Sequence, residues 1–516
     1  MSMDDTTGTI ELLAATSPDH ASRDVKAVLD LFPEARGEDG QVDLEELRDV
    51  LGRYVNDDAE AYGFTWPGRF DAIRQSQTPS GATLLPLESK SEQWDTTGNL
   101  YVEGDNLEVL KLLQTSYGGK VDMVYIDPPY NTGSDFVYRD SFGDTLENYK
   151  EQTGQANSAN PETAGRYHSN WASMMLPRLR VARKLLSEKG VIFVSIDDHE
   201  SATLCEIGDQ VFGEDCFMGD IAWQKTYSPR NDANGIPTEV EHILAWSRNP
   251  HWVPRGGASV TNYWSHAQAG HNDAAKKEIK RLFDGHAPFD TPKPTKLVRR
   301  ILDIATDKDS LVMDFFSGSA TTAQAVMRAN LADGGRRRWI LVQIPEQTSG
   351  SYGTLCDIGE ERIRRAAAEI RKDTAGDRQQ PSLDVTEHVP DTGFRVFALD
   401  SSNMLVQHIG TETISTKKAD RSELDVLFEA MLRWGLDLSL PIHARQCDGY
   451  GYYEAGDGVL AYCGDDGLTP AILERIVETT RPRRVLLRLN VLMDNTALTD
   501  GMVLSIAGKD VEVRVI

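Results

Sequence analysis

Val121-Asp122-Met123-Val124-Tyr125-Ile126-Asp127-Pro128-Pro129-Tyr130 is an apolar run that passes into a carboxylate, two prolines and an aromatic ring. Its apolar residues are nearly continuous, the pattern of a strand covered on both faces in a parallel sheet. Pro128 and Pro129 must end that strand, because proline gives no N–H to a ladder and fixes its own φ. The pair predicts a rigid turn at the carboxyl edge of the sheet, where open α/β sheets bind their ligands.

The flanking sequence repeats the strand–turn–helix rhythm. Asn99 to Glu103 reads as a short strand ending in Gly104-Asp105, and Leu107, Val109, Leu110 and Leu113 follow at helical spacing. With 121–127 this makes a β-α-β unit that places Asp105 at the same sheet edge as Asp127. An amphipathic helix is predicted over about 171–187, with Pro177 as a potential kink, and Val191 to Asp197 is the next buried strand. The polar stretch 141–169 reads as a long loop of the kind that forms lids or substrate arms.

A second landmark is Leu311-Val312-Met313-Asp314-Phe315-Phe316-Ser317-Gly318-Ser319-Ala320-Thr321-Thr322, a buried strand running through a small-residue turn into a helix. Gly318 permits close backbone approach, and the helix start beyond it offers free N–H groups. Arg338 to Ile344 is a further strand with Glu346 just past its end, where a dinucleotide-type fold puts the carboxylate that holds a ribose. The alternation predicts a doubly wound, Rossmann-like α/β fold.

An Asp-Pro-Pro-Tyr turn suits a specific task. The amine on a nucleobase is a poor nucleophile because its lone pair is delocalised into the ring. The Asp127 carboxylate and the Pro128 carbonyl are both acceptors, and each taking one N–H would localise that lone pair toward an incoming methyl group. Pro129 stiffens the turn, and the Tyr130 ring would stack on a base turned out of its helix. The simpler alternative is a strand-ending turn with a surface carboxylate.

With 516 residues the chain is long enough for several domains. The start of the sequence lacks the positive charge of an export signal and no run is long enough to span a membrane, which together predict a cytoplasmic protein. Five cysteines without a C-x-x-C pair predict neither disulfides nor a metal site. The formal charge of -26 would repel nucleic acid, but it is unevenly spread. Residues 1–97 hold 20 acids against 8 bases and 375–516 hold 22 against 14, whereas 221–300 hold 12 bases against 7 acids. That basic island, with Trp223, Trp246, Trp252 and Trp264 interleaved among Lys225, Arg230, Arg248 and Arg255, fits a nucleic-acid face or a separately packed insert. Lys276, Lys277, Lys280 and Arg281 lie on a basic helix within it and are candidate phosphate contacts, as are Lys225 and Arg230. The expected organisation is an acidic, mainly helical arm (1–97), a core in two halves (98–218 and 291–374) around a DNA-contact insert (219–290), and an α/β C-terminal domain for subunit or partner binding (375–516).

YIDPPYNTG at 125–133, GDNLEVLKLL at 104–113, FDTPKP at 289–294, DFFSGSATTA at 314–323 and ILVQIPE at 340–346 resemble DNA amino-methyltransferases. Their order, catalytic motif before cofactor motif, is that of the circularly permuted group, and the sequence most resembles the modification (Mod) subunit of type III restriction-modification systems. FTWPGR at 64–69, WDTTGNL at 94–100, SPRNDAN at 228–234 and GYYEAGDGVLAYC at 451–463 extend the likeness. The resemblance implies S-adenosylmethionine as methyl donor, over Asp314, Phe316, Gly318, Ser319 and Thr321. Glu346 would hold the ribose, Asp105 would lie near the adenine, and Lys293 and Pro294 would lie on the methionine side. It implies Asp127, Pro128, Pro129 and Tyr130 as the catalytic turn, and Asp in the first position resembles the adenine-N6 enzymes more than the cytosine-N4 ones. No metal is implied. Double-stranded DNA, a restriction (Res) subunit and a second copy in a homodimer are the implied partners. The sequence departs from the family at Ala320, where a second glycine is usual. It departs again after Glu241-His242-Ile243-Leu244, where only about 45 residues precede FDTPKP instead of a long target-recognition region. Such shortening implies relaxed specificity, dependence on another subunit, or a non-catalytic assembly role; protein and ribosomal-RNA methylases of similar fold usually carry Asn in place of Asp127.

Overall fold

The computed structural model describes residues 11–37, 39–52, 63–132, 163–227, 238–255, 260–377, 389–409, 412–488 and 511–516. Strands β1 (Glu11–Leu12), β2 (Ala82–Pro86), β3 (Leu100–Glu103), β4 (Val121–Ile126), β5 (Leu186–Ile196), β6 (Phe217–Gln224), β7 (Val240–Ser247), β8 (Tyr263–Trp264), β9 (Leu311–Asp314), β10 (Arg338–Gln343) and β11 (Arg395–Ser401) precede the C-terminal strands. A ten-stranded sheet runs in the order β2-β11-β3-β10-β9-β4-β5-β7-β6-β8. The six strands from β11 to β5 are mutually parallel. From β9 the chain moves through a helix to β10 on one side, and from β4 through a helix to β5 on the other. The boundary between β4 and β9 is therefore a switch point, and the crevice beyond their carboxyl ends is where such a sheet binds ligands.

The continuous apolar run of β4 reflects cover on both faces. Val121, Val124 and Ile126 pack with Trp171, Met175 and Leu179 of the helix Thr163–Leu185 and with Leu110 and Leu113 of the helix Asn106–Tyr117. Met123 and Tyr125 pack on the opposite side with Leu297 and Ile301 of Thr295–Ala305, Val326 of Thr321–Asp333 and Ile363 of Leu355–Asp377. The helix expected at 171–187 begins earlier, at Thr163, and continues through Pro177 without ending. It thus takes the last part of the expected loop at 141–169; residues 141–162 of that loop lie outside the described ones.

Three expectations about organisation are revised. Residues 219–290 are not a separate body: β7 pairs antiparallel with β5, and β6 with β7, so this part widens the central sheet. Trp223, Trp246 and Trp264 are consequently fully buried core residues and not a nucleic-acid surface. The first 97 residues, expected as a mainly helical arm, also give one strand to each of the two large sheets. β2 joins the central sheet antiparallel to β11, and β1 joins the C-terminal sheet parallel to β18 (Glu512–Val515). β11 itself, expected in the C-terminal domain, pairs with β3 and completes the core. The C-terminal sheet has the order β1-β18-β17-β16-β15-β14, with β14 at Ile442–Cys447, β15 at Tyr450–Ala455, β16 at Leu460–Cys463 and β17 at Arg484–Leu487. β12 (Met404–Ile409) and β13 (Glu412–Lys417) form a separate hairpin.

Candidate active site

At the switch point Asp127, Pro128, Pro129 and Tyr130 leave β4 as a turn and line one end of a cavity of about 440 Å³. The turn is braced from outside. The Trp171 indole donates to the Pro129 carbonyl (2.7 Å), and Asn131, at φ 61°, donates its side-chain amide to the fully buried Glu200 (2.5 Å). Asparagine tolerates that left-handed backbone better than most residues. No hydrogen bond to the Pro128 carbonyl is present among the described residues.

Asp127 sits in a charged network. Lys293 Nζ donates to both of its oxygens (2.7 and 2.6 Å), and the Tyr130 hydroxyl lies 2.9 Å from Oδ1 and 3.1 Å from Oε2 of Glu241. Lys293 Nζ lies 4.9 Å from the centre of the Tyr130 ring and 3.8 Å from Glu241, whose other oxygen pairs with Lys225 (3.3 Å). Glu241 is 6% exposed. Burial pushes the Asp127 carboxyl above its ordinary pKa, although Lys293 pulls it back. Burial also opposes the Lys293 ammonium, but Asp127 and Glu241 outweigh it and hold its pKa above the usual value.

The other wall comes from β9 and β10. Gly318 takes φ 50° and donates its N–H to Gln343 Oε1 (2.7 Å); a β-carbon there would lie 3.3 Å from the Phe289 ring. Ala320 adopts the same left-handed region, φ 61° and ψ 37°, as the residue capping Thr321–Asp333. The backbone that a second glycine would serve is thus kept by an alanine, at a cost of about 1–2 kcal/mol. Phe316, Gly318 and Glu346 line the cavity with Phe289, Gln343 and Leu355.

Asp105, Pro294, Asp314, Ser319 and Thr321 are not among its lining residues. Asp314 is buried behind the turn, accepting from Thr322 Oγ1 (2.6 Å) and the Phe316 N–H (3.1 Å); burial pushes its pKa up to about 7. Ser319 and Thr321 take hydrogen bonds from Arg362 Nη1 (2.8 and 2.6 Å), a fully buried guanidinium lowered to about 10 by burial. Asp105 caps Asn106–Tyr117 and pairs with the fully buried Arg178 (3.1 Å), and Pro294 caps Thr295–Ala305. These residues shape the turns from outside the cavity.

The expected DNA contacts divide. Lys276, Lys277 and Lys280 stand exposed on the helix Asn272–Leu282, whose first residue lines the cavity. Arg281 is instead held by Glu369, and Lys225 by Glu241. Arg230 lies outside the described residues. Sequence reading missed Glu241, Phe289, Gln343 and Arg362; a carboxylate two residues before the apolar Ile243–Trp246 run was the available signal for Glu241. Among the described residues no helix is long and apolar enough to cross a membrane.

A doubly wound sheet with this turn at its switch point defines a nucleobase amino-methylase. Residues 121–368 match the family model described as "DNA methylase". The chain is 31% identical to the Type III restriction-modification enzyme StyLTI Mod subunit of Salmonella typhimurium, over 64% of this chain and 67% of that protein. It is 26% identical to the EcoPI Mod subunit of Escherichia phage P1 (81% and 85% covered) and 25% identical to the EcoP15I Mod subunit of Escherichia coli (66% and 74%). The chain belongs to the family of type III Mod subunits, S-adenosylmethionine-dependent DNA methyltransferases of restriction-modification systems. The EcoPI alignment runs over 556 residues, more than the 516 of this chain, so that relative carries stretches this chain lacks.

Proposed function

We propose that the chain methylates N6 of adenine in double-stranded DNA. The observation that supports this reading is the pairing of two acceptors at the cavity wall, the Asp127 carboxylate and the Pro128 carbonyl. They match the two N–H bonds of an exocyclic amine. Bound S-adenosylmethionine supplies an electrophilic methyl on sulfonium. The residues that line the cavity suit that donor: Glu346 would take its ribose hydroxyls, Phe316 and Gly318 would lie along its length, and Lys293 would face its carboxylate. Asp314, Ser319 and Thr321 hold the turn, Asp105 fixes the neighbouring loop, and Pro294 fixes Lys293.

Asp127 and Pro128 orient the amine and raise its nucleophilicity, Pro129 keeps the turn rigid, and Tyr130 stacks on the flipped base. As the amine gains the methyl it sheds a proton, and a largely shielded carboxylate with a raised pKa is suited to take it. Lys276, Lys277 and Lys280 supply phosphate contacts beside the cavity, with Arg230 a further candidate. In this reading 98–218 and 291–374 form the catalytic core, 219–290 carries the DNA side, and 375–516 meets a Res subunit or a second copy. A cytoplasmic location accompanies work on chromosomal DNA.

The test is transfer of labelled methyl from S-adenosylmethionine to duplex DNA, followed by nucleoside analysis. N6-methyladenine is the expected product. N4-methylcytosine, or no incorporation with a folded, cofactor-binding protein, would overturn the proposal.

A further inference from the structure

Glu241 belongs to none of the motifs singled out in the sequence for chemistry, yet it is the buried carboxylate nearest to the catalytic turn on the β7 side. It faces two ammonium groups and one phenol that it shares with Asp127. The Tyr130 hydroxyl has a single proton and two carboxylate oxygens within reach, at 2.9 Å and 3.1 Å. Lys293 donates twice to Asp127 and sits 3.8 Å from Glu241, while Lys225 closes the far side of Glu241 at 3.3 Å. Lys225, a candidate phosphate contact by sequence, is thereby the outer counter-charge of the reaction site.

We propose that Glu241 is a positioning residue for methyl transfer: through Tyr130 and Lys293 it fixes the stacking ring and keeps the ammonium from pairing with Asp127 alone. This rests on the methyltransferase reading above. Two effects follow from elementary electrostatics. The Tyr130 ring, anchored at its hydroxyl by a second acceptor, loses rotational freedom before the base arrives. The negative charge of Glu241 also disfavours ionisation of Asp127 and so opposes Lys293, leaving Asp127 a better proton acceptor than an isolated Asp–Lys pair would be. The groups that bear on Asp127 are Lys293, Glu241 and Tyr130 from their own elements, with Tyr125 on β4 and Asp314 on β9. Asp197, beyond β5, acts on Lys293. Replacing Glu241 with Gln keeps a hydrogen-bond acceptor for Tyr130 and removes only the charge.

The experiment compares wild type, Glu241→Gln, Glu241→Ala and Asp127→Asn in single-turnover methyl transfer to duplex DNA across pH, with S-adenosylmethionine binding measured by calorimetry. For Glu241→Gln the expected result is a chemical step slowed about tenfold and an acid limb displaced to lower pH, because Asp127 loses a negative neighbour. Cofactor affinity should stay within about twofold of wild type. Glu241→Ala, which also frees the ring, should lose more. An unchanged rate and profile in Glu241→Gln would overturn the proposal, as would a slowing with no displacement of the acid limb and a matching loss of cofactor binding. Failure of wild type itself to methylate DNA would instead overturn the parent reading, with Asp127→Asn as the internal reference.

Discussion

Lys293→Met removes the ammonium that donates to Asp127 while keeping most of the length of the side chain. Lys293 is 10% exposed and Asp127 25%, so the pair is largely shielded from water. Two charge-assisted hydrogen bonds disappear together, and removing one partner of a buried pair costs about 3–5 kcal/mol. The cost depends on pH in a defined direction. With burial no longer opposed by Lys293, the folded-state pKa of Asp127 rises further above the ordinary carboxylate value near 4. A carboxyl raised on folding binds a proton more readily in the folded state. Its penalty is therefore absent below the unfolded pKa and grows as pH rises toward the folded one. The stability gap between wild type and Lys293→Met should be about 3–5 kcal/mol near pH 8.5 and smaller by at least about 1 kcal/mol near pH 5. Chemical denaturation at the two pH values, followed by tryptophan fluorescence, measures the gap directly, since Trp171, Trp246 and Trp339 are buried in the central core. An equal gap at both values, or a larger one at low pH, would refute the placement of Lys293 as the counter-charge of Asp127.

Asp127→Ala should slow methyl transfer by about 10²- to 10³-fold while leaving cofactor binding nearly intact, as read by single-turnover assay and calorimetry. Gly318→Val should abolish S-adenosylmethionine binding in a folded protein, because a β-branched residue would have to hold φ 50° with its β-carbon 3.3 Å from Phe289; unchanged affinity would displace the cofactor from this turn. Replacing Lys276, Lys277 and Lys280 should flatten the salt dependence of DNA binding by up to about 0.9 in log-log slope for each phosphate left unneutralised. Arg281, already held by Glu369, should add little. On the proposed reading the basic helix meets phosphates and not base edges, so affinity across random duplexes should vary little; a single motif bound about a thousandfold more tightly would show that sequence reading survives.

The strand at 121–126 and the turn after it are legible because their signals are local. A continuous apolar run and two prolines act over neighbouring residues, and the same holds for the Gly318 turn and for Glu346 past β10. Lys225 is not legible, because its partner lies sixteen residues away and comes opposite only when β6 and β7 pair, with Trp223 in register with Glu241. The tryptophans mislead for a related reason. Ile221 and Trp223 alternate with less buried neighbours, a period-two strand signal that composition alone hides. In the first 97 residues the helices stand out, whereas β2 is short and finds its place only against β11, more than three hundred residues on. Asp314, Ser319 and Thr321 form a readable motif, but the motif cannot reveal that Arg362 and Thr322 occupy their polar atoms.

The lacing of residues 11–12 into β18 and of 82–86 into β11 sets an order of events during synthesis. Both strands leave the ribosome well before their partners, so β2 waits unpaired while some three hundred residues are made and β1 while some five hundred are, at about 5–20 per second. The parallel centre can assemble around β4 and β5 in that interval, but β3 and β4 cannot close against each other until β9 and β10 arrive to lie between them. Assembly of the reaction cavity is accordingly a late event, dominated by pairings of high sequence separation and slow for that reason. A chain halted before residue 395 would hold the Asp127 turn and the Gly318 turn and yet leave β3 with an open edge, a template for pairing with another copy.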